Sequence, residues 1–440
     1  MVDRRLHVIA SYNSKIHINR DNIAFVSMLM YFAIHFFSVL TEYDYVALEV
    51  LFLGIFIMCL PRITIPIIVG GLLLLYTSIR FFCGHSNETG YFAPVYHLLK
   101  YFRFFMIPIL QEVFTRFSDK RKKIFFVETI ICGVLTSVIS LYYVFAFDPL
   151  AIRYRGLAHS GQKETVYKGI IRFSQVFSLS LFTLILFIIL MQMQTIKKKK
   201  DKKNTKFIVV SSIAVISVMI VKGQLMTPLI VLCIASLIYY FLSQYRKISK
   251  FIFNILLVCI GLLIYKPILS RIYMIVRNNR ENFIAMRLEA IISKLLGINA
   301  QSSSLDNRMK KISISMSSFK YKPLFGIGYE NFNGRTVGCH QDYWDILAVS
   351  GIFGFLLLMF VLIFICVKTT IKCKTDVEKR LFIAEFTAFI ILGFLDPCLD
   401  ITIILVVFVL APNCSCMINR TIKRLPKFSV SKKEVRKYVI

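Results

Sequence analysis

The residues of this chain best suited to chemistry lie between Arg308 and Leu358, which read RMKKISISMSSFKYKPLFGIGYENFNGRTVGCHQDYWDILAVSGIFGFLLL. A basic helical run carries Arg308, a cation suited to an anionic oxygen. His340 follows a glycine-rich loop, and histidine titrates near neutral pH, so it can accept and return a proton. Gln341 and Tyr343 offer an amide and a hydroxyl for hydrogen bonding. Two more places repeat the cationic theme: Arg153 and Arg155 in RYRGLAHSG, and Lys222 before Gly223. Cations that gather outside a membrane point to an anionic partner, with phosphate the leading candidate. Each has a plainer reading: a lone histidine is most often structural, a helix arginine is often solvated, and basic loops are drawn to anionic lipid headgroups. Asp342 with Asp345, or Asp396 with Asp400, could also hold a divalent metal, but carboxylates so spaced are common by chance, and no metal site is expected.

These residues must be positioned by membrane helices. The 440 residues are 57% hydrophobic, above the roughly 45–50% of soluble domains, and the mean hydropathy is +0.68. A spanning helix needs about 20 mostly apolar residues. Such runs recur, and they do not alternate as barrel strands do. The expected class is all-α, a polytopic membrane protein of about 12 transmembrane helices forming a single integral membrane domain over 1–440. The spans fall at 23–40, 46–60, 63–83, 95–114, 124–147, 173–192, 207–221, 227–242, 251–268, 345–367, 381–395 and 401–416. The net charge of +30 is explained by topology rather than by nucleic acid, because cytoplasmic loops collect Lys and Arg. Segments 115–123, 193–206, 243–250 and 368–380 are strongly basic, whereas 41–45 and 84–94 carry no Lys or Arg. Both termini are therefore expected in the cytoplasm. The basic loops 148–172 and 266–344 then lie outside, against the rule.

Loop 266–344 is expected to hold helices lying on the membrane, with Ile272, Ile275, Val276, Ile284, Leu288, Ile291 and Ile292 on the apolar face. Arg280, Arg287 and Glu289 belong to the wetter face, and Arg287 is a further candidate contact for an anion. Pro323, Gly326 and Gly328 mark a turn after the surface helix. Gly351 and Gly354, one helical turn apart, suggest tight helix packing. Within the membrane, Tyr96, Lys100 and Arg103 share a face, and Glu49 and Glu128 are acids in apolar surroundings. Intramembrane charge is costly and is usually paired or functional. An ion pair among these residues is the first expectation, and a proton-coupled pathway the alternative. The cysteines, 11 in all, sit mostly inside spans without framework spacing and read as small packing residues. The polar first 22 residues are not expected to form a cleavable signal peptide.

The pattern Arg308, Pro323, Gly326, Gly328, His340, Tyr343, Gly351, Gly354 resembles the O-antigen ligase/polymerase superfamily of bacterial membrane glycosyltransferases. Arg153-Tyr154-Arg155-Gly156 is similar to that family's earlier outside motif, and Val221-Lys222-Gly223 to its Ser-Arg-Gly. Three departures stand out: Gln341 replaces an Asn, Lys222 replaces an Arg, and HSGQKE replaces an Asn-containing stretch. The resemblance implies a polysaccharide (capsule or O-antigen) polymerase in the bacterial cytoplasmic membrane. It would take polyprenyl-diphosphate-linked oligosaccharides among the membrane lipids and need no cofactor. Arg308, Arg153 and His340 would be the catalytic residues. Arg155, Lys222, Gln341, Tyr343 and Arg287 would bind the diphosphate or glycan. Loop 266–344 would act as a lid, and chain-length regulator and flippase proteins would be partners. The rival within the superfamily is the ligase that moves finished O-antigen to lipid A–core. A flippase or other transporter is the alternative outside it, but the internal repeats common in transporters are not visible.

Overall fold

The computed structural model describes residues 20–37, 39–40, 46–83, 92–147, 152, 170–194, 202–223, 225–244, 267, 269–278, 288–289, 292–293, 296, 303–328, 337 and 341–417. Among them the protein is helical, with no strand. The helices are α1 (20–36), α2 (Val46–Met58), α3 (Ile65–Cys83), α4 (Phe92–Thr115), α5 (Asp119–Ala146), α6 (Phe173–Gln194), α7 (Lys202–Lys222) and α8 (Met226–Gln244). Then come α9 (Ser303–Tyr321), α10 (Asp342–Lys372), α11 (Asp376–Leu395) and α12 (Ile401–Ile404). The last continues through π-spaced Leu405–Leu410 into a 3-10 segment, Ala411–Met417. Each expected span except 251–268 coincides with one of these helices; residues 251–266 lie outside the described part. Helices α5, α6, α7, α8 and α10 are long and apolar enough to cross a membrane. The protein is an all-α polytopic membrane protein. In hydrocarbon every backbone polar group must be satisfied internally, and the helix does this within one segment.

Two packed groups meet at α11. In the first, α6 lies against α7, α8 and α12. It can be enclosed on nearly all sides because its polar groups bond to their own helix. Ser180 donates to Val176 O at 2.8 Å and Thr183 to Leu179 O at 2.7 Å. From Ile401 to Ala411 every residue is buried. In the second group, α3 packs on α4 and α10, and α9 packs on α10. Helix α11 touches α8 on one side and α10 on the other.

The helix ends at the basic face carry their own signals. Ser118 caps α5 by accepting from Arg121 N. Thr375 and Glu378 form a reciprocal capping box on α11. Glu112, near the C-terminus of α4, takes Arg62 at 2.9 Å and Lys368 at 2.8 Å, so part of this basic surface is neutralised internally.

In the loop before α10, residues 269–277 are helical, with Ile275 64% exposed and Val276 buried. Glu289 departs from expectation: it is buried, not on the wetter face. Ile292 and Ser293, three and four residues further on, are buried as well.

The placement of the loops is open to a direct test. In a cysteine-depleted background, single cysteines at 299–306 are expected to react with an impermeant maleimide in intact cells, and those at 197–206 only after permeabilisation. Labelling of 197–206 in intact cells would reverse the assigned topology.

Candidate functional site

The turn that begins at Pro323 is built into α10. Helix α10 breaks at Gly351, where φ is 66° and ψ is −171°. The chain Pro323–Gly328 fills that break with backbone hydrogen bonds. Ile352 N donates to Pro323 O at 2.9 Å, Ile327 N to Ala348 O at 2.9 Å, and Gly328 N to Val349 O at 2.9 Å. The break would otherwise leave unpaired donors and acceptors inside the protein, so the two glycine motifs form one joint. A Cβ at Gly326 would lie 2.3 Å from Val349 O, and one at Gly351 would lie 2.4 Å from Leu324 O. Gly351 is thus not a packing glycine, as the GxxG spacing suggested; it is required by the break. Helix α3 braces the joint: Arg80 Nη2 donates to Gly326 O at 2.9 Å and Tyr76 OH to Phe325 O at 3.1 Å. From α4, the Tyr101 hydroxyl meets Ser350 Oγ.

Beside this joint lies a network of charges. Arg308 of α9 donates from Nη1 to Asp396 Oδ2 at 3.0 Å. The arginine side chain keeps 31% of its surface exposed, and the Asp396 side chain only 6%. Asp396 opens the 396–400 loop between α11 and α12. That loop is gripped by Asp342, whose Oδ2 accepts from both Cys398 N and Leu399 N at 2.7 Å. The other Asp342 oxygen, Oδ1, lies 2.7 Å from Lys100 Nζ, with Asp345 Oδ2 at 3.7 Å from the same ammonium. All three side chains are nearly fully enclosed. Asp345 also accepts from Ser315 Oγ of α9 at 3.0 Å and from Gln341 N at 3.3 Å. Burial pushes the Cys398 thiol well above its ordinary value, and the Asp342 carboxylate adds to the effect. It stays a neutral thiol and not a nucleophile.

A second ion pair joins α2 and α4. Arg103 forks onto Glu49, with Nη2–Oε1 at 2.9 Å and Nε–Oε1 at 3.2 Å. Its Nη1 reaches Asp400 Oδ2 at 3.5 Å. Asp400 caps α12 through Thr402 N at 3.0 Å. The ion-pair expectation therefore holds for Arg103 with Glu49, while Lys100 finds partners the sequence did not suggest. Glu128 joins neither pair. The four aspartates considered for a metal are engaged with cations and backbone N–H groups.

Of the candidate site residues, the fold gathers Arg308, Gln341 and Tyr343 around the start of α10. Gln341 is the N-cap residue of α10 and is buried. Tyr343 is wholly buried, 5.0 Å from the Phe394 ring and against Gly393, where a Cβ would sit 2.5 Å from Tyr343 Cε2. It fixes α10 to α11, and a glycan contact there would require the ring to leave that packing. Lys222 ends α7, exposed, with its ammonium 5.6 Å from the Phe145 ring centroid. A Cβ on the neighbouring Gly223 would lie 3.3 Å from Ile152 Cγ2, so the residue before Arg153 sits over this helix end. His340, Arg153, Arg155 and Arg287 lie outside the described residues. Sequence reasoning missed Asp342 and Asp396 as partners of Lys100 and Arg308. Their position at helix ends facing the basic loop was the only available signal.

The matched segment runs through this same region. Residues 211–359 match the family model described as O-Antigen ligase. This match supports the resemblance to the O-antigen ligase/polymerase superfamily. The O-antigen ligase match begins within α7 and ends within α10, past Gly354. It contains Lys222, Arg287, Arg308, His340, Gln341 and Tyr343, together with the whole glycine joint. Lys100 and Arg103 of α4 lie beyond it, as does Asp396 at the C-cap of α11. No curated protein matches the chain.

Proposed function

We propose that the protein is a polysaccharide polymerase. It transfers a glycan chain from its polyprenyl diphosphate to a new lipid-linked repeat unit, at the outer face of the bacterial cytoplasmic membrane. The observation that carries this reading is Arg308. Its guanidinium is oriented from behind by Asp396 yet remains about one third exposed, near the start of α10 where the long loop ends. A planar fork of donors so held suits the oxygens of a departing diphosphate. Arg153 and Arg155 from loop 148–172, with Lys222 and Arg287, complete the clamp in this proposal. Loop 266–344 closes over a lipid-accessible cleft, and Gln341 and Tyr343 support the start of α10.

The reaction needs few other parts. The acceptor hydroxyl attacks the anomeric carbon of the donor, and its C–O bond forms as the bond to the diphosphate oxygen breaks. The diphosphate leaves with the electron pair, and His340 takes the hydroxyl proton. The lipid brings its own leaving group, so neither a nucleotide sugar nor a cofactor enters the scheme. A repeat-unit flippase would deliver the substrate, and a chain-length regulator would act on the product.

His340→Ala is expected to accumulate lipid-linked single repeat units and lose long chains. A base must be neutral, so wild-type activity should fall as pH drops through the ordinary imidazole value of about 6.5. His340→Gln keeps a hydrogen-bonding side chain but takes up no proton. Full-rate polymerisation by the Gln variant would make the histidine a positioning group, and full rate in the Ala variant as well would end the catalytic assignment. The description of the matched family favours a second reading, transfer of finished glycan onto lipid A–core. Long chains made in a host without lipopolysaccharide would decide against it.

A further inference from the structure

We propose that Lys100 is a positioning residue for Arg308, acting through Asp342 and the 396–400 loop. The inference rests on the reading of Arg308 as the group that binds a diphosphate. Three observations carry it. Lys100 lies on α4, outside the segment matched to O-antigen ligase, yet its ammonium is 2.7 Å from Asp342 Oδ1 with both side chains enclosed. The second oxygen of that carboxylate accepts from two successive backbone N–H groups, Cys398 and Leu399. Two residues before Cys398 in the same loop stands Asp396, which holds the Arg308 guanidinium.

The physical reason for a cation at Lys100 follows from burial. Asp342 is enclosed, and a buried carboxylate is costly to hold in place without a counter-charge. Lys100 supplies that charge from a third helix. Without it the buried carboxylate has lost the ammonium 2.7 Å away and turns toward water, and the Cys398 and Leu399 N–H groups lose their acceptor. The loop then relaxes, and Asp396 with it. Arg308 keeps its side chain but loses the orientation that aims it outward. Asp345 is tied to the same ammonium at 3.7 Å and to Ser315 of α9 at 3.0 Å, so α9 is held to this centre by a second route.

The test uses the full-length protein purified in detergent and a short-chain isoprenyl diphosphate, farnesyl diphosphate, as the probe. Affinity is measured per folded molecule, with monodispersity on size exclusion defining the folded fraction. Arg308→Ala is the control for the underlying reading. If it leaves the affinity unchanged, the diphosphate reading of Arg308 is wrong, whatever Lys100 does. With that control behaving as expected, Lys100→Met should weaken the probe by about tenfold or more, within the range of coupling between contacting residues. The pair Lys100→Met/Asp342→Asn should recover to within about threefold of wild type, because an asparagine oxygen accepts from the loop amides without needing a counter-charge. A purely structural lysine would lower the yield of folded protein and leave its affinity intact, which overturns the proposal. If Lys100→Met yields no folded protein, the double variant decides. Wild-type-like affinity in it supports the proposal, and affinity as weak as that of Arg308→Ala overturns it.

Discussion

Arg308→Ala is expected to remove polymer altogether while inserted protein stays close to the wild-type level. Loss of one preorganised donor to a developing anion costs about 10²- to 10³-fold in rate, enough to erase long chains. The truncation has a second consequence, because Asp396 is enclosed and loses a guanidinium 3.0 Å away. A buried charge deprived of its partner destabilises by roughly 3–5 kcal/mol where burial is complete. Here the arginine is about one third exposed, and solvent screening makes the cost smaller. The two effects separate in Arg308→Ala/Asp396→Asn, which removes the orphaned charge. If Arg308 serves the substrate, the double variant remains inactive; if it only neutralises Asp396, activity returns. Arg308→Lys should recover a fraction of the activity, since a point charge cannot make paired bonds. Wild-type polymer from Arg308→Ala would take this residue out of the site.

Gly326→Ala and Gly351→Ala are expected to unseat the loop from α10 and abolish activity together with stability. Both glycines have positive φ, 69° and 66°, a conformation that costs an L-residue about 1–3 kcal/mol. The larger obstacle is contact with backbone atoms that cannot rotate away: Val349 O at 2.3 Å in one case and Leu324 O at 2.4 Å in the other. Relief requires the Pro323–Gly328 segment to move out of the break, which gives up the backbone hydrogen bonds that fill it. A loss of several kcal/mol follows at roughly 1 kcal/mol for each bond, to be read as a large fall in unfolding temperature. Gly54→Ala is the control. Nothing lies within 4 Å of an added Cβ there, and alanine in a helix interior is favoured by roughly 0.5–1 kcal/mol. Wild-type unfolding of Gly326→Ala would mean that the joint does not form as described.

The sequence alone determined the class, the positions of the helices outside 251–268 and the family resemblance. A hydrocarbon layer demands about 20 apolar residues per crossing and satisfies the backbone only in helices or closed barrels, so both requirements are written into local composition. The turn at Pro323–Gly328 was legible for the same reason, because proline and glycine act on their own backbone. The capping box at Thr375 and Glu378 is equally local. The partners of the charged groups were another matter. Lys100, Arg103 and Glu49 stood out as costly charges in apolar surroundings, and pairing was the correct expectation. Only the packing of α4 against the start of α10 and the 396–400 loop selects Asp342 for Lys100, since Coulomb attraction depends on a distance that composition does not encode. Arg308 and Asp396 were likewise unconnected until α9 and the end of α11 met. Gly351 shows the limit most clearly. A glycine pair one turn apart has one spelling whether it lets two helices approach or lets one helix open. The tertiary structure decided for opening, because the amides and carbonyls freed at that break find their partners in the Pro323–Gly328 segment.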